Sequence, residues 1–178
     1  YYAIVNMDLD NGLGGVESKF HHITSDEMAD CLQAIKHANG RDWWLIGKST
    51  TDSQTRNNRF YVYLVTPAGI SPVTIYDFNN INDIDFQKII VSPDESKLMQ
   101  ITFLGFMCEY DFDRCNGLIS NPRIIFPEAI TGNRIFWEGA YSPSGNLFYM
   151  FTQRLNNTDT CYLVQYDLLD TNISLSAD

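Results

Sequence analysis

The chain has 178 residues, 44% apolar and 13% aromatic, enough to bury a substantial core. Its 22 acidic against 12 basic residues give a net charge of −10 without any basic run. That excludes a nucleic-acid partner from the expectations, because phosphate binding needs clustered Lys and Arg; no stretch approaches the ~20 apolar residues of a membrane span, so no membrane insertion is expected.

Residues 1–23 read as two strands, Tyr1 to Met7 and Val16 to Ile23, joined by the Gly-rich turn Asp10-Asn11-Gly12-Leu13-Gly14-Gly15. Ser25 to Asp30 is the one segment with a helix-start signal, with Ser25 or Thr24 as cap. Three similar units follow. Each has a polar turn opening at His37, Ser92 or Ser142, 55 and 50 residues apart. Short apolar runs precede these turns at Leu32 to Ile35, Phe86 to Val91 and Ile135 to Tyr141, as suits innermost strands. Aromatic and branched runs follow at Trp43 to Gly47, Leu98 to Leu104 and Leu147 to Thr152. Third strands are expected at Arg59 to Val65, Phe106 to Phe112 and Cys161 to Leu168, with Tyr63, Tyr110 and Tyr166 in register. Turns containing Gly69 and Gly117 then lead to fourth strands at Val73 to Phe78 and Arg123 to Phe126; no fourth strand is visible after Asn172-Ile173-Ser174.

A period near 50 residues without helical patterning is the mark of β-propeller blades. The fold class is therefore all-β: a β-propeller fragment of about three four-stranded antiparallel blades, with incomplete blades at both ends. The division is 1–23 (second half of a preceding blade), 24–79, 80–130 and 131–178 (incomplete), all within one larger propeller. A blade with two apolar faces must stack on neighbours, so the remaining blades of the same polypeptide are an expected partner. Trp43 and Trp44 alternate across a strand, and both are expected to be buried in a stacked blade.

His37, beside Asn39, Arg41 and Asp42, is a candidate ligand contact or general base; equally, its ring can brace the turn, as Ser92 and Ser142 can in the other units. Asp83 and Asp85 precede a first strand, where propeller loops face the central channel, and they are the stronger binding candidates. Asp77, Asp111 and Asp113 are spread over two units, with no spacing that sets two carboxylates across a sugar. Asn6, Asp8, Asp10 and Glu17 match the oxygen spacing of a calcium loop, against a plain hairpin turn favoured by Asn11 at the position that needs Gly and by strand flanks. His21 and His22 are adjacent and point to opposite faces of a strand, a poor pair for one metal. Ser92 and Ser142 lack a G-x-S-x-G setting, and no Gly-rich phosphate loop opens a helix. Cofactors are not expected. Cys31, Cys108, Cys115 and Cys161 contain no C-x-x-C pair, which disfavours zinc, and they allow three complete disulfide pairings among which spacing does not choose; Cys108 and Cys161, on third strands, read as small apolar residues.

The run Leu32-Gln33-Ala34-Ile35-Lys36-His37-Ala38-Asn39-Gly40-Arg41-Asp42-Trp43-Trp44 resembles a motif of large secreted proteins of the Bacteroidota. So do Tyr110-Asp111-Phe112-Asp113-Arg114-Cys115-Asn116-Gly117 and Tyr141-Ser142-Pro143-Ser144-Gly145-Asn146-Leu147-Phe148-Tyr149. In that family a WD-like or lactonase-like propeller precedes other extracellular modules, and the chain often ends in a gliding-motility-associated or type IX secretion sorting domain. Glu95 departs from the family's turn Gly. The resemblance implies a cell-surface or secreted location and a binding or scaffold role with a protein or glycan ligand, linked to gliding motility or adhesion. The alternative is a lactonase-like or glycan-active hydrolase using acids at the channel.

Overall fold

The computed structural model describes residues 1–49, 58–78, 87–126, 134–154 and 157–176. Strands β1 (Tyr2–Asn6) and β2 (Gly15–His21) form an antiparallel hairpin around a 3-10 turn at Asp10–Gly12. Three antiparallel meanders follow. The first contains β3 (Met28–Lys36), β4 (Trp43–Ser49) and β5 (Arg59–Thr66), with β6 (Gly69–Ile70) and β7 (Thr74–Asp77) sharing the outer edge of β5. The second orders β8 (Gln87–Val91), β9 (Lys97–Thr102), β10 (Met107–Asp113) and β11 (Leu118–Phe126) from inside to outside. The third has β12 (Arg134–Tyr141), β13 (Leu147–Arg154) and β14 (Asn157–Asp167). The innermost strands sit side by side: β3 against β8, and β12 against β8 and β9. This is the expected propeller fragment.

Alternation along each strand explains the stacking. On β9, Leu98 joins a core with Ile35, Trp44 and Phe60 of the first blade. Met99 and Ile101, on the opposite face, join a second core with Phe136, Phe148 and Tyr166 of the third. The middle blade is thus apolar on both sides and is buried on both.

The three inner turns are equivalent. His37, Ser92 and Ser142 each donate their backbone N–H to the residue five further on, at 2.8, 3.0 and 2.8 Å. Gly40, Glu95 and Gly145 all take a positive φ, 75°, 59° and 75°. Glu95 adopts there a conformation that costs a side-chain-bearing residue about 1–2 kcal/mol, and its carboxylate is paired with Arg114 at 2.9 Å.

Four expectations are corrected. Ser25 to Asp30 is not helical: Thr24 Oγ1 accepts from the Asp26 N–H in a turn, and β3 begins at Met28, paired with Ser49. Sheet pairing overrides the local capping signal there. Trp44 is 8% exposed, but Trp43 is 45% exposed, since it faces the side of the first blade that no further described blade covers. Tyr63 is not in register with the other two tyrosines. Val65 opposes Trp43 as Tyr110 opposes Leu98 and Tyr166 opposes Phe148, so Tyr63 lies two residues away. Cys161, read as a small apolar residue like Cys108, is exposed whereas Cys108 is buried. None of the four cysteines forms a disulfide.

Candidate functional site

His37 serves its turn. Its Nδ1 accepts from the Asn39 N–H at 2.9 Å, and its ring stacks on Trp44 at 5.2 Å. Asn39 Oδ1 receives the backbone N–H groups of Arg41 and Asp42, and the Asp42 carboxylate takes two bonds from Arg41, 2.7 and 3.0 Å. Asp83 and Asp85 lie outside the described residues. Asn6, Asp8, Asp10 and Glu17 are not brought together as a metal cage. Asn6 Oδ1 accepts from the Asp8 N–H, Glu17 lies on β2, and among the described residues no cluster of three or more His, Cys, Asp or Glu could hold a metal. The calcium spacing belongs to a helix–loop–helix, and here strands flank the turn. His21 bonds Ser18 and stacks on Tyr2.

The structure instead opens a cleft of about 520 Å³ between the second and third blades. Its floor and one wall come from Lys97 on β9, Glu109 and Asp111 on β10, and Asn121 and Arg123 on β11. The inner turns of both blades and Leu168–Leu169 close the rest. A bulge shapes this wall. Glu109 pairs with Arg123 but Asp111 pairs with Ser120, so Asn121 and Pro122 together oppose the single residue Tyr110 and β11 carries one extra residue. Asn121 takes φ 49°, which turns its side chain toward Asp111.

Charge is balanced pair by pair. Glu109, 5% exposed, accepts from Arg123 at 2.6 Å and from the Tyr141 hydroxyl at 3.1 Å. Arg123 also donates to the Leu168 carbonyl at 3.0 Å, so these bonds cross from one blade to the next. Asp111 holds Lys97 through one oxygen and Asn121 through the other, the latter at 2.7 Å. These bonds keep Asp111 ionised below the ordinary carboxylate range. Burial and the adjacent Glu109 charge push the Tyr141 phenol up, so it stays neutral and donates.

Why the cleft is here follows from the repeat. At the first seam, the Arg114 carbonyl of the second blade accepts from the Ala38 N–H at 3.1 Å and from the Trp44 indole at 2.8 Å. The Trp44 ring fills the space over Gly117, where a Cβ would come within 2.7 Å of it. At the second seam the equivalent positions are Pro93 and Met99. Proline has no N–H and a thioether donates nothing. The staple is lost, and Arg123 makes the crossing bond instead. Sequence reasoning passed over Lys97, Glu109, Asn121 and Arg123; the substitution of Ala38 and Trp44 by Pro93 and Met99 in aligned turns was the signal that could have found them.

Two turn carboxyls give a pH prediction. Hydrogen bonds from Arg41 and Asn39 hold Asp42 at about 2, and those from Ser92 and Ser96 hold Asp94 at about 2, against an ordinary 3.8. Both folded values lie below the unfolded one. Their stabilisation is therefore complete above about pH 4 and is lost as pH falls through about 2. Urea midpoints measured from pH 6 to pH 2 should be flat at first and then decline below pH 4. Asp94→Asn should flatten part of that decline; an unchanged acid profile would show that the turn bonds do not form.

No family model and no curated protein matches the chain. Solved structures do. A gluconolactonase from Xanthomonas campestris is similar at 15% identity and TM-score 0.50, over 98% of this chain and 54% of that one. A puromycin hydrolase is similar at 13% identity and TM-score 0.54, over 94% and 26%. A luciferin-regenerating enzyme is similar at 14% identity and TM-score 0.49, over 82% and 45%. The chain spans about half or less of each of these structures, and at such identities the likeness establishes the fold alone: antiparallel strand meanders stacked as propeller blades.

Proposed function

We propose that this chain forms about three blades of a lactonase-like propeller hydrolase, acting on a lactone or a related sugar-derived ester at the channel end from which β8 runs. The observation that carries the reading is the side-by-side packing of β3, β8 and β12 in a fold similar to that gluconolactonase over nearly the whole chain. Asp83 and Asp85, immediately before β8, are assigned the acid–base work on the attacking water. Positioned carboxylates of this kind contribute roughly 10²–10⁴-fold to rate. The test is hydrolysis of glucono-lactone by the full chain, with Asp83→Asn and Asp85→Asn. Turnover should fall by at least about 100-fold in one of them. Hydrolysis unchanged in both variants would sink the assignment, and no turnover at all by the unaltered chain would sink the hydrolase reading.

A second reading, an extracellular binding or scaffold module for a protein or glycan in cell-surface adhesion or gliding, is favoured by one observation. Glu109, Asp111 and Asp94 are each engaged by a donor, which suits holding a partner better than moving a proton. The surface location belongs to this reading and is supported by the Bacteroidota resemblance.

A further inference from the structure

We propose that the cleft between the second and third blades is a binding site for a neutral saccharide, separate from the channel end. Three features support it. First, the cleft is a departure from the repeat rather than a property of every seam, since the first seam is filled by Trp44 and stapled to Arg114. Its volume, about 520 Å³, is that of a small-molecule site, for which about 300–1,000 Å³ is usual.

Second, the wall alternates donor and acceptor: Lys97 beside Asp111, Asn121 beside Asp111, Arg123 beside Glu109. A hydroxyl both donates and accepts, so neighbouring sugar hydroxyls match such a wall better than any purely anionic or cationic group does. Capacity remains for them. Lys97 has three N–H donors and Arg123 five, and both side chains are open to the cleft, 42% and 44% exposed. Buried Glu109 fixes the Arg123 guanidinium in place, so its direction is set before a ligand arrives.

Third, three carboxylates (Asp94, Glu109, Asp111) face two cations (Lys97, Arg123), which leaves the cleft close to neutral. Neither a phosphate nor a polycation gains much from such a field. Pro93, Pro143, Leu168 and Leu169 line the cleft with apolar surface, against which the C–H face of a sugar ring can lie.

The experiment is binding of the labelled full chain to an array carrying neutral, sulfated and sialylated oligosaccharides together with Arg- and Lys-rich peptides. Binding to neutral glycans is expected. Asn121→Gly removes the side chain at a position whose positive φ suits glycine, so it keeps the fold, and it should weaken binding at least tenfold. Ser144→Trp, at an exposed position on the rim, should do the same by filling the cleft. Melting temperatures of both variants should stay near that of the parent. Binding only to charged glycans or peptides, no binding to any neutral glycan, or binding that survives both variants would each overturn the proposal. Asp83→Asn should leave array binding intact, so failure of the hydrolase reading and failure of this site are told apart.

Discussion

Trp44→Ala should lower stability by about 3–5 kcal/mol, the range for deleting a large buried aromatic. Trp44 is buried, packs in the core shared by the first two blades, and donates its indole N–H to the Arg114 carbonyl at 2.8 Å. The ring also lies over Gly117, which has φ 69° and no side chain to fill the space left behind. The loss therefore combines a cavity with the loss of one of the two donors to the Arg114 carbonyl, and the His37 ring loses its stacking partner. Trp44→Phe separates the terms: it keeps most of the volume and loses the hydrogen bond, for which about 1 kcal/mol is usual. Urea unfolding followed by far-UV circular dichroism measures both. If Trp44→Ala costs under about 1 kcal/mol, this ring does not close the seam.

Lys48→Ala should cost a similar amount, about 2–5 kcal/mol, the range for truncating a long buried side chain to Ala. Lys48 is fully buried at the end of β4, where its ammonium bonds Asn58 Oδ1 and lies 4.4 Å from the Phe60 ring centroid. The polar chain continues into the second blade: Asn58 Nδ2 donates to the Tyr110 hydroxyl at 2.6 Å, which donates to Gln100 Oε1 at 2.9 Å. Removing the lysine leaves Asn58 short of a donor inside an apolar seam, and a buried unsatisfied group costs about 1–3 kcal/mol by itself. Lys48→Met keeps the stem against Phe60 and should be milder. Equal losses for Ala and Met would place the whole effect in the charge; a negligible loss for both would mean the chain of bonds is ornamental to folding.

Much of this architecture is legible without coordinates, for a physical reason. The apolar runs around His37, Ser92 and Ser142 recur at a fixed period, and strands of alternating polarity have one way to bury both faces. The tight turns could be placed because Gly40 and Gly145 mark a positive φ, and Glu95 takes the same conformation at the equivalent position. What was hidden depends on neighbours. Trp43 and Trp44 differ only in which face meets another blade. The segment before Met28 carries a helix cap whose effect is cancelled by pairing with β4. The cleft depends on a pair of residues in one blade compared with the aligned pair in another, Pro93 and Met99 against Ala38 and Trp44. No single window contains that comparison. Asp83 and Asp85 lie outside the described residues, so the channel-end assignment rests on their place before β8.

The unequal seams also make the three blades unequal in their response to the solvent. At the rim of the first seam the ties are an indole and backbone amides, with Arg114 reaching the Lys36 carbonyl. Across the second, Arg123 reaches the Leu168 carbonyl, the Tyr141 hydroxyl reaches Glu109, and an ion pair joins Lys88 to Glu138 between the inner strands β8 and β12. Mobile ions weaken an exposed pair of this kind, with a screening length of about 8 Å at physiological ionic strength, while an indole bond is indifferent to them. Among the described residues, ionic strength therefore acts on this one tie of the second joint and on none at the rim of the first. The third blade is held mainly by its apolar core, and the surrounding electrolyte trims its grip by the small increment of an exposed ion pair.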